Sequence, residues 1–121
     1  MNRASEQKEN KLVIKKSEEN GIIILAPEGE LNLNTVSRLR SEFDALYNQG
    51  VRKLVVDFDK VTYIDSVGLA LIIEMLQRLG QNNGSLALAN MGDKIKYLFE
   101  AAKIDTMLSI FKNRNDAIAS M

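Results

Sequence analysis

Apolar residues recur along this chain in two rhythms, one of about two residues and one of about 3.6. Lys11 to Ser17 opens as a strand in which Leu12 and Ile14 share a face. Glu18 to Gly21 is turn-like, and Ile22 to Ala26 (IIILA) is a β-branched run short enough for a buried strand. Asn20-Gly21 supplies the positive φ of a tight turn, so the two strands are expected to form a hairpin. Pro27 to Leu33 (PEGELNL) reads as a loop with Gly29 as its flexible point. From Asn34 to Gln49 the rhythm changes: Val36, Leu39, Phe43, Leu46 and Tyr47 form one helical stripe, and Gly50 closes it.

The second half repeats the alternation. Val51 to Phe58 is a strand, and Val61 to Ile64 leads into Asp65-Ser66. Ser66 to Leu79 is a helix, apolar around much of its first half and therefore largely buried. Gly80 to Gly84 is a turn and Ser85 to Ala89 a short strand. Asp93 can cap a third helix with Ile95, Leu98, Phe99 and Ala102 on one face. Thr106 to Phe111 reads as a last strand and Asn115 to Ser120 as a terminal helix. Helix-bearing connections join parallel neighbours. The expected fold is therefore α/β: a mixed four- to five-stranded sheet packed with about four helices. Residues 1–10 read as a flexible N-terminal tail and 11–121 as a single domain.

Composition narrows the chemistry more than the fold. The 121 residues include no Cys and no His. Thiolate nucleophiles, disulfides, imidazole-ligated zinc and a Ser-His-Asp triad are thereby excluded. Sixteen basic and sixteen acidic residues cancel, so no global field favours nucleic acid or an anionic membrane. The first residues lack the apolar core of a secretory signal. The longest apolar run, Val67 to Ile73, is seven residues against the roughly 20 of a membrane span. A cytoplasmic protein is expected, with no obvious apolar interface and hence a monomer.

One segment concentrates polar chemistry at a strand-to-helix junction: VVDFDKVTYIDSVGLALI, residues 55–72. In open α/β sheets, sites gather where strands end and helices begin. Asp65 or Ser66 can serve as the helix N-cap. A hydroxyl at Ser66 would face the positive end of the helix dipole, where a phosphate is tolerated. Gly68 lets a backbone come close to the first turn, either a partner's or that of the domain's own sheet. Asp57 and Asp59 flank Phe58 at a strand end; a metal there is the minority reading beside exposed carboxylates. Lys94 and Lys96 read as a solvated helix face, and Met75, Met91 and Met107 as core or surface filler.

Four stretches together resemble the STAS domain, and within it the single-domain anti-sigma factor antagonists of bacteria. They are the early strand pair followed by GELN (29–32), LVVDF (54–58), YIDSVGLALI (63–72) and GSLALANMGDKIKYLFEAAKIDTMLSIF (84–111). The resemblance implies a switch in transcription regulation, of the kind used in bacterial stress responses, and not an enzyme. Its partner would be an anti-sigma factor serine kinase that the unmodified antagonist binds, freeing the sigma factor. Phosphorylation of the motif serine, here Ser66, would block that binding, and a serine phosphatase would reverse it. ATP would belong to the kinase, and no cofactor or metal to this chain. The partner surface carried over is Asp65, Val67, Gly68 and Leu69 with Asn32, Asn34 and Thr35 of the 29–35 loop. Where many members have Asp in the G-x-L-D pattern, this chain has Asn32, removing a charge near the future phosphate.

Two other classes compete with the switch. One is a STAS scaffold module of a larger signalling assembly. The other is a small nucleotide- or ligand-binding protein, suggested by the strand-end carboxylates and the Ser/Thr cluster. The 29–35 loop has one Gly and no Lys at P-loop spacing, which weakens a nucleotide cradle.

Overall fold

A computed structural model describes residues 12–121. Residues 1–10, read above as a tail, lie outside the described residues. The chain forms β1 (Val13–Glu19), β2 (Ile22–Leu31), α1 (Val36–Asn48), β3 (Lys53–Asp57), β4 (Val61–Ile64), α2 (Ser66–Gly80), β5 (Ser85–Ala89), α3 (Asp93–Ala101), β6 (Ser109–Phe111) and α4 (Arg114–Ala119). The strands make one six-stranded sheet in the order β1-β2-β3-β5-β6, with β4 also paired to β2. The β1–β2 pair is antiparallel; every other pairing is parallel.

The hairpin closes as the turn chemistry requires. Glu19 pairs with Ile22, leaving Asn20 and Gly21 as a two-residue turn with φ of 55° and 78°. Val55 of β3 pairs with Ile24 on one side and Ala87 on the other, and all three face a small core closed by Ala117 and Ile118 of α4. Their neighbours Leu25, Leu54, Val56 and Leu88 point the other way, into the main core with Leu39, Phe43, Leu71, Ile72 and Phe99. The period of two thus divides each central strand between two helical layers.

The extent of β2 corrects the loop expected at Pro27 to Leu33. The strand runs through Pro27 to Leu31 because it changes partner on the way. Residues 23–25 pair with β3 and residues 29–31 with β4, which the sequence suggested only as a lead-in to the helix. Counting the hydrogen-bond alternation from the Glu19–Ile22 pair, Pro27 falls where its nitrogen points away from β1. It therefore sits in the gap between the two parallel partners, where a missing N–H breaks no ladder. Gly29, at φ 123°, takes the register shift there and donates its N–H to Lys60 O at 3.0 Å.

Smaller corrections follow at element ends. Gly92, not Asp93, holds the cap position of α3, and Asp93 is the first helical residue. Ala102 lies exposed beyond that helix and outside its apolar stripe. Residues Asp105–Met107 form a 3₁₀ turn, which confines the last strand to Ser109–Phe111. On the surface between α1 and α2, Arg40 pairs with Glu74 at 2.5 Å and Arg78 with Asp44 at 2.6 Å. These pairs are partly exposed and fix helix position more than they add stability. Among the described residues, no helix is long and apolar enough to cross a membrane.

Candidate functional site

The site is built where β2 and β4 end side by side. Leu31 pairs with Ile64, so the chain leaves both strands at the same level of the sheet. One exit becomes the 32–35 loop and the other becomes the start of α2. Asp65 stands between them.

Of the two cap candidates, Asp65 takes the role. Its backbone is extended (φ −103°, ψ −176°), and its Oδ1 accepts from the N–H groups of Val67 and Gly68, both at 3.0 Å. Its Oδ2 accepts from the N–H of Leu33 at 3.0 Å. Its own N–H donates to Leu31 O at 3.2 Å. One aspartate thus satisfies two orphan donors of the helix and fastens the neighbouring loop to it.

The loop has its own internal frame. Thr35 is buried; its hydroxyl donates to Glu30 O at 2.7 Å and accepts from Asn32 N–H at 2.9 Å. Asn32 Oδ1 accepts from Asn34 N–H at 2.9 Å, while Asn32 Nδ2 donates to Glu30 Oε1 at 3.2 Å. That last contact gives Asn32 a local reason to be an amide: an ionised Asp there would face the Glu30 carboxylate with no proton to share.

Ser66 is therefore released from capping. It is the first helical residue, it is exposed, and its hydroxyl enters no hydrogen bond among the described residues. Val67 and Leu69 are half-buried beside it. Gly68 is fully covered: a Cβ there would come within 2.6 Å of Leu31 O and 2.7 Å of Ile64 Cγ1. Its close approach is thus to the domain's own strands. The structure brings Asn32, Asn34, Thr35, Asp65, Ser66 and Gly68 into one cluster, with Thr35 and Gly68 as its internal supports. It also adds Leu33, which belongs to no apolar rhythm. Leu33 is 70% exposed at the crest of the loop.

The other acidic candidates separate. Asp57 is buried rather than exposed. Its carboxylate accepts from Asp59 N–H at 2.9 Å, Asn90 Nδ2 at 3.0 Å, and Arg114 Nε and Nη2 at 3.0 and 2.8 Å. Burial pushes its pKa up, but the hydrogen bonds from Asp59, Asn90 and Arg114, with the Arg114 charge, outweigh that and hold it below the usual range. All its lone pairs are engaged, and Asp59 is exposed. Among the described residues, no group of three or more His, Cys, Asp or Glu gathers as a metal site. Two open depressions of about 440 Å³ lie elsewhere, one at the β1–β2 turn and one between Tyr63 and Tyr97; Ser66 lines neither.

The chain as a whole matches a known family. The sequence fits the family model of the STAS domain over residues 13–117. The chain belongs to the STAS domain family. It is 32% identical over 82 residues to the anti-sigma-B factor antagonist of Staphylococcus aureus, covering 68% of this chain and 76% of that one. An anti-sigma factor antagonist from Mycobacterium paratuberculosis superposes with a TM-score of 0.84 at 18% identity, covering 92% of this chain and 94% of that one. The Bacillus cell fate determinant SpoIIAA, solved in its phosphorylated form, superposes with a TM-score of 0.70 at 17% identity, covering 89% and 98%. At these identities the two structures show a shared fold, and the STAS fold observed here is a mixed sheet flanked by helices on both faces.

Proposed function

We propose that this STAS protein is an anti-sigma factor antagonist whose hold on an anti-sigma serine kinase is governed by phosphorylation of Ser66. The observation that carries the reading is the exposed Ser66 hydroxyl at the start of α2, freed because Asp65 performs the capping. The similarity to the S. aureus antagonist supports an anti-sigma factor as the partner. That SpoIIAA has been solved phosphorylated supports a covalent phosphate in this fold.

The chemistry falls to the partner. The kinase would pass the γ-phosphoryl of ATP to Ser66 Oγ, releasing ADP and the hydroxyl proton; a separate serine phosphatase would hydrolyse the ester. This chain supplies an accessible hydroxyl and no catalytic residue, cofactor or metal. The phosphate adds about −1.5 to −2 charges. The start of α2 offsets this by about 0.3–1 kcal/mol, and Asp65 next door opposes it. The fold should therefore tolerate the group. An interface shaped for a neutral hydroxyl should not: burying an unpaired dianion can cost the roughly 4 kcal/mol of a thousandfold affinity loss.

Calorimetric titration of the cognate anti-sigma kinase with the unmodified and the Ser66-phosphorylated protein tests this. Tight binding of the first and loss of at least a hundredfold with the second is expected. Equal affinity of the two forms would overturn the switch. A stable high-order assembly indifferent to kinases would instead make the chain a scaffold module.

A further inference from the structure

We infer that Leu33 is an anchor by which the kinase grips this protein while phosphorylating Ser66. The inference rests on the proposed function and adds a residue to its recognition surface.

A single exposed leucine is ordinary on a protein surface. What distinguishes Leu33 is how it is held. Its N–H is tied to Asp65 Oδ2, and the residues on either side, Asn32 and Asn34, are joined by the Asn32 Oδ1 bond to Asn34 N–H. Thr35, beneath them, ties the loop to Glu30 O. Polar side chains thus fix the backbone of a residue whose large apolar side chain stays in water. With the backbone already fixed, a partner that covers Leu33 has only its side chain left to order.

Its position places it under any enzyme that reaches Ser66. Asp65 bridges the two residues, so the Leu33 backbone lies within about 10 Å of Ser66. A specific interface covers about 800 Å² per partner, a disc of about 16 Å radius. Leu33 falls well inside such a disc centred on Ser66. The kinase is accordingly expected to carry an apolar recess beside its phosphoryl-transfer centre. Leu33 contacts no reacting atom, so its effect should appear in binding and not in the chemical step.

Leu33→Ala isolates the side chain, because alanine keeps the N–H that Asp65 accepts. The probe is the ATP-dependent anti-sigma kinase of the same organism, purified by its transfer of labelled phosphate to this chain. Steady-state kinetics would compare wild type, Leu33→Ala, Leu33→Met and, as a control on another exposed apolar residue, Met107→Ala in the 3₁₀ turn before β6. Leu33→Ala should raise KM about ten- to fiftyfold with kcat within about twofold. Leu33→Met should stay near wild type, and Met107→Ala should match it. Unchanged KM for Leu33→Ala, with Ser66 still labelled, would overturn the anchor and leave the switch intact. Failure of the kinase to label Ser66 in the wild type would overturn both.

Discussion

The N–H of Leu33 donates to Asp65 Oδ2 at 3.0 Å, across 32 positions of sequence. This bond makes the 32–35 loop and the start of α2 one rigid unit. Under the proposed function, the kinase would meet a surface already formed.

Replacing Asp65 should therefore loosen more than a helix end. Asp65→Ala removes the acceptor for three N–H groups, those of Val67, Gly68 and Leu33. A cap alone is worth about 1 kcal/mol, and the loop bond adds to it. A loss of about 2 kcal/mol in urea unfolding is expected, with faster amide exchange at Leu33. A loss under about 0.5 kcal/mol would mean that the clip carries little weight.

Gly68→Ala should destabilise although alanine is the better helix former by up to about 1 kcal/mol. The new methyl would press on the Leu31 carbonyl, a backbone atom 2.6 Å away that cannot rotate aside. Overpacking of this kind costs about 1–3 kcal/mol. Thermal melting should show a clearly lower Tm; an unchanged or raised Tm would show that β2 and α2 can part at no cost.

The ion pair of Asp57 and Arg114 ties α4 to β3 and gives stability an acid limb. The pKa of Asp57 is lower in the fold than the roughly 3.9 of an unfolded aspartate. Its contribution is therefore complete above that value and is lost as pH falls through the folded pKa. Asp57→Asn should lower stability at pH 7 by about 2 kcal/mol and flatten the acid fall that sets in below about pH 4. Urea midpoints measured across that range check both; an unaltered slope would remove Asp57 from the account.

Much of this was legible in the chain. Asn20-Gly21 specified the hairpin because few residues accept two positive φ values in succession. The stripe Val36, Leu39, Phe43 and Leu46 specified α1, and all four are buried. The cap was legible as a choice between Asp65 and Ser66, and the structure assigns it to Asp65. What escaped depends on contacts that local pattern does not encode. Pro27 argues against a strand interior unless the change of partner along β2 is known. The fate of Asp57 depends on Arg114, 57 residues away. Leu33 interrupts a polar loop, and no periodicity singles it out; only its exposure and its bond to Asp65 do.

Ser66→Asp should separate folding from binding. An acidic side chain at the first helical position suits the helix dipole, so the change in stability should stay within about 0.5 kcal/mol. Affinity for the kinase should fall, though less than with phosphate, which carries more charge. Large destabilisation would show that the Ser66 hydroxyl supports the fold.

The most direct measurement is phosphosite mapping by mass spectrometry after incubation with the cognate kinase and ATP. One phosphate, on Ser66, and none on a Ser66→Ala protein is the predicted result. Equal labelling of the two proteins would contradict it and remove the hydroxyl at the start of α2 from the centre of the mechanism.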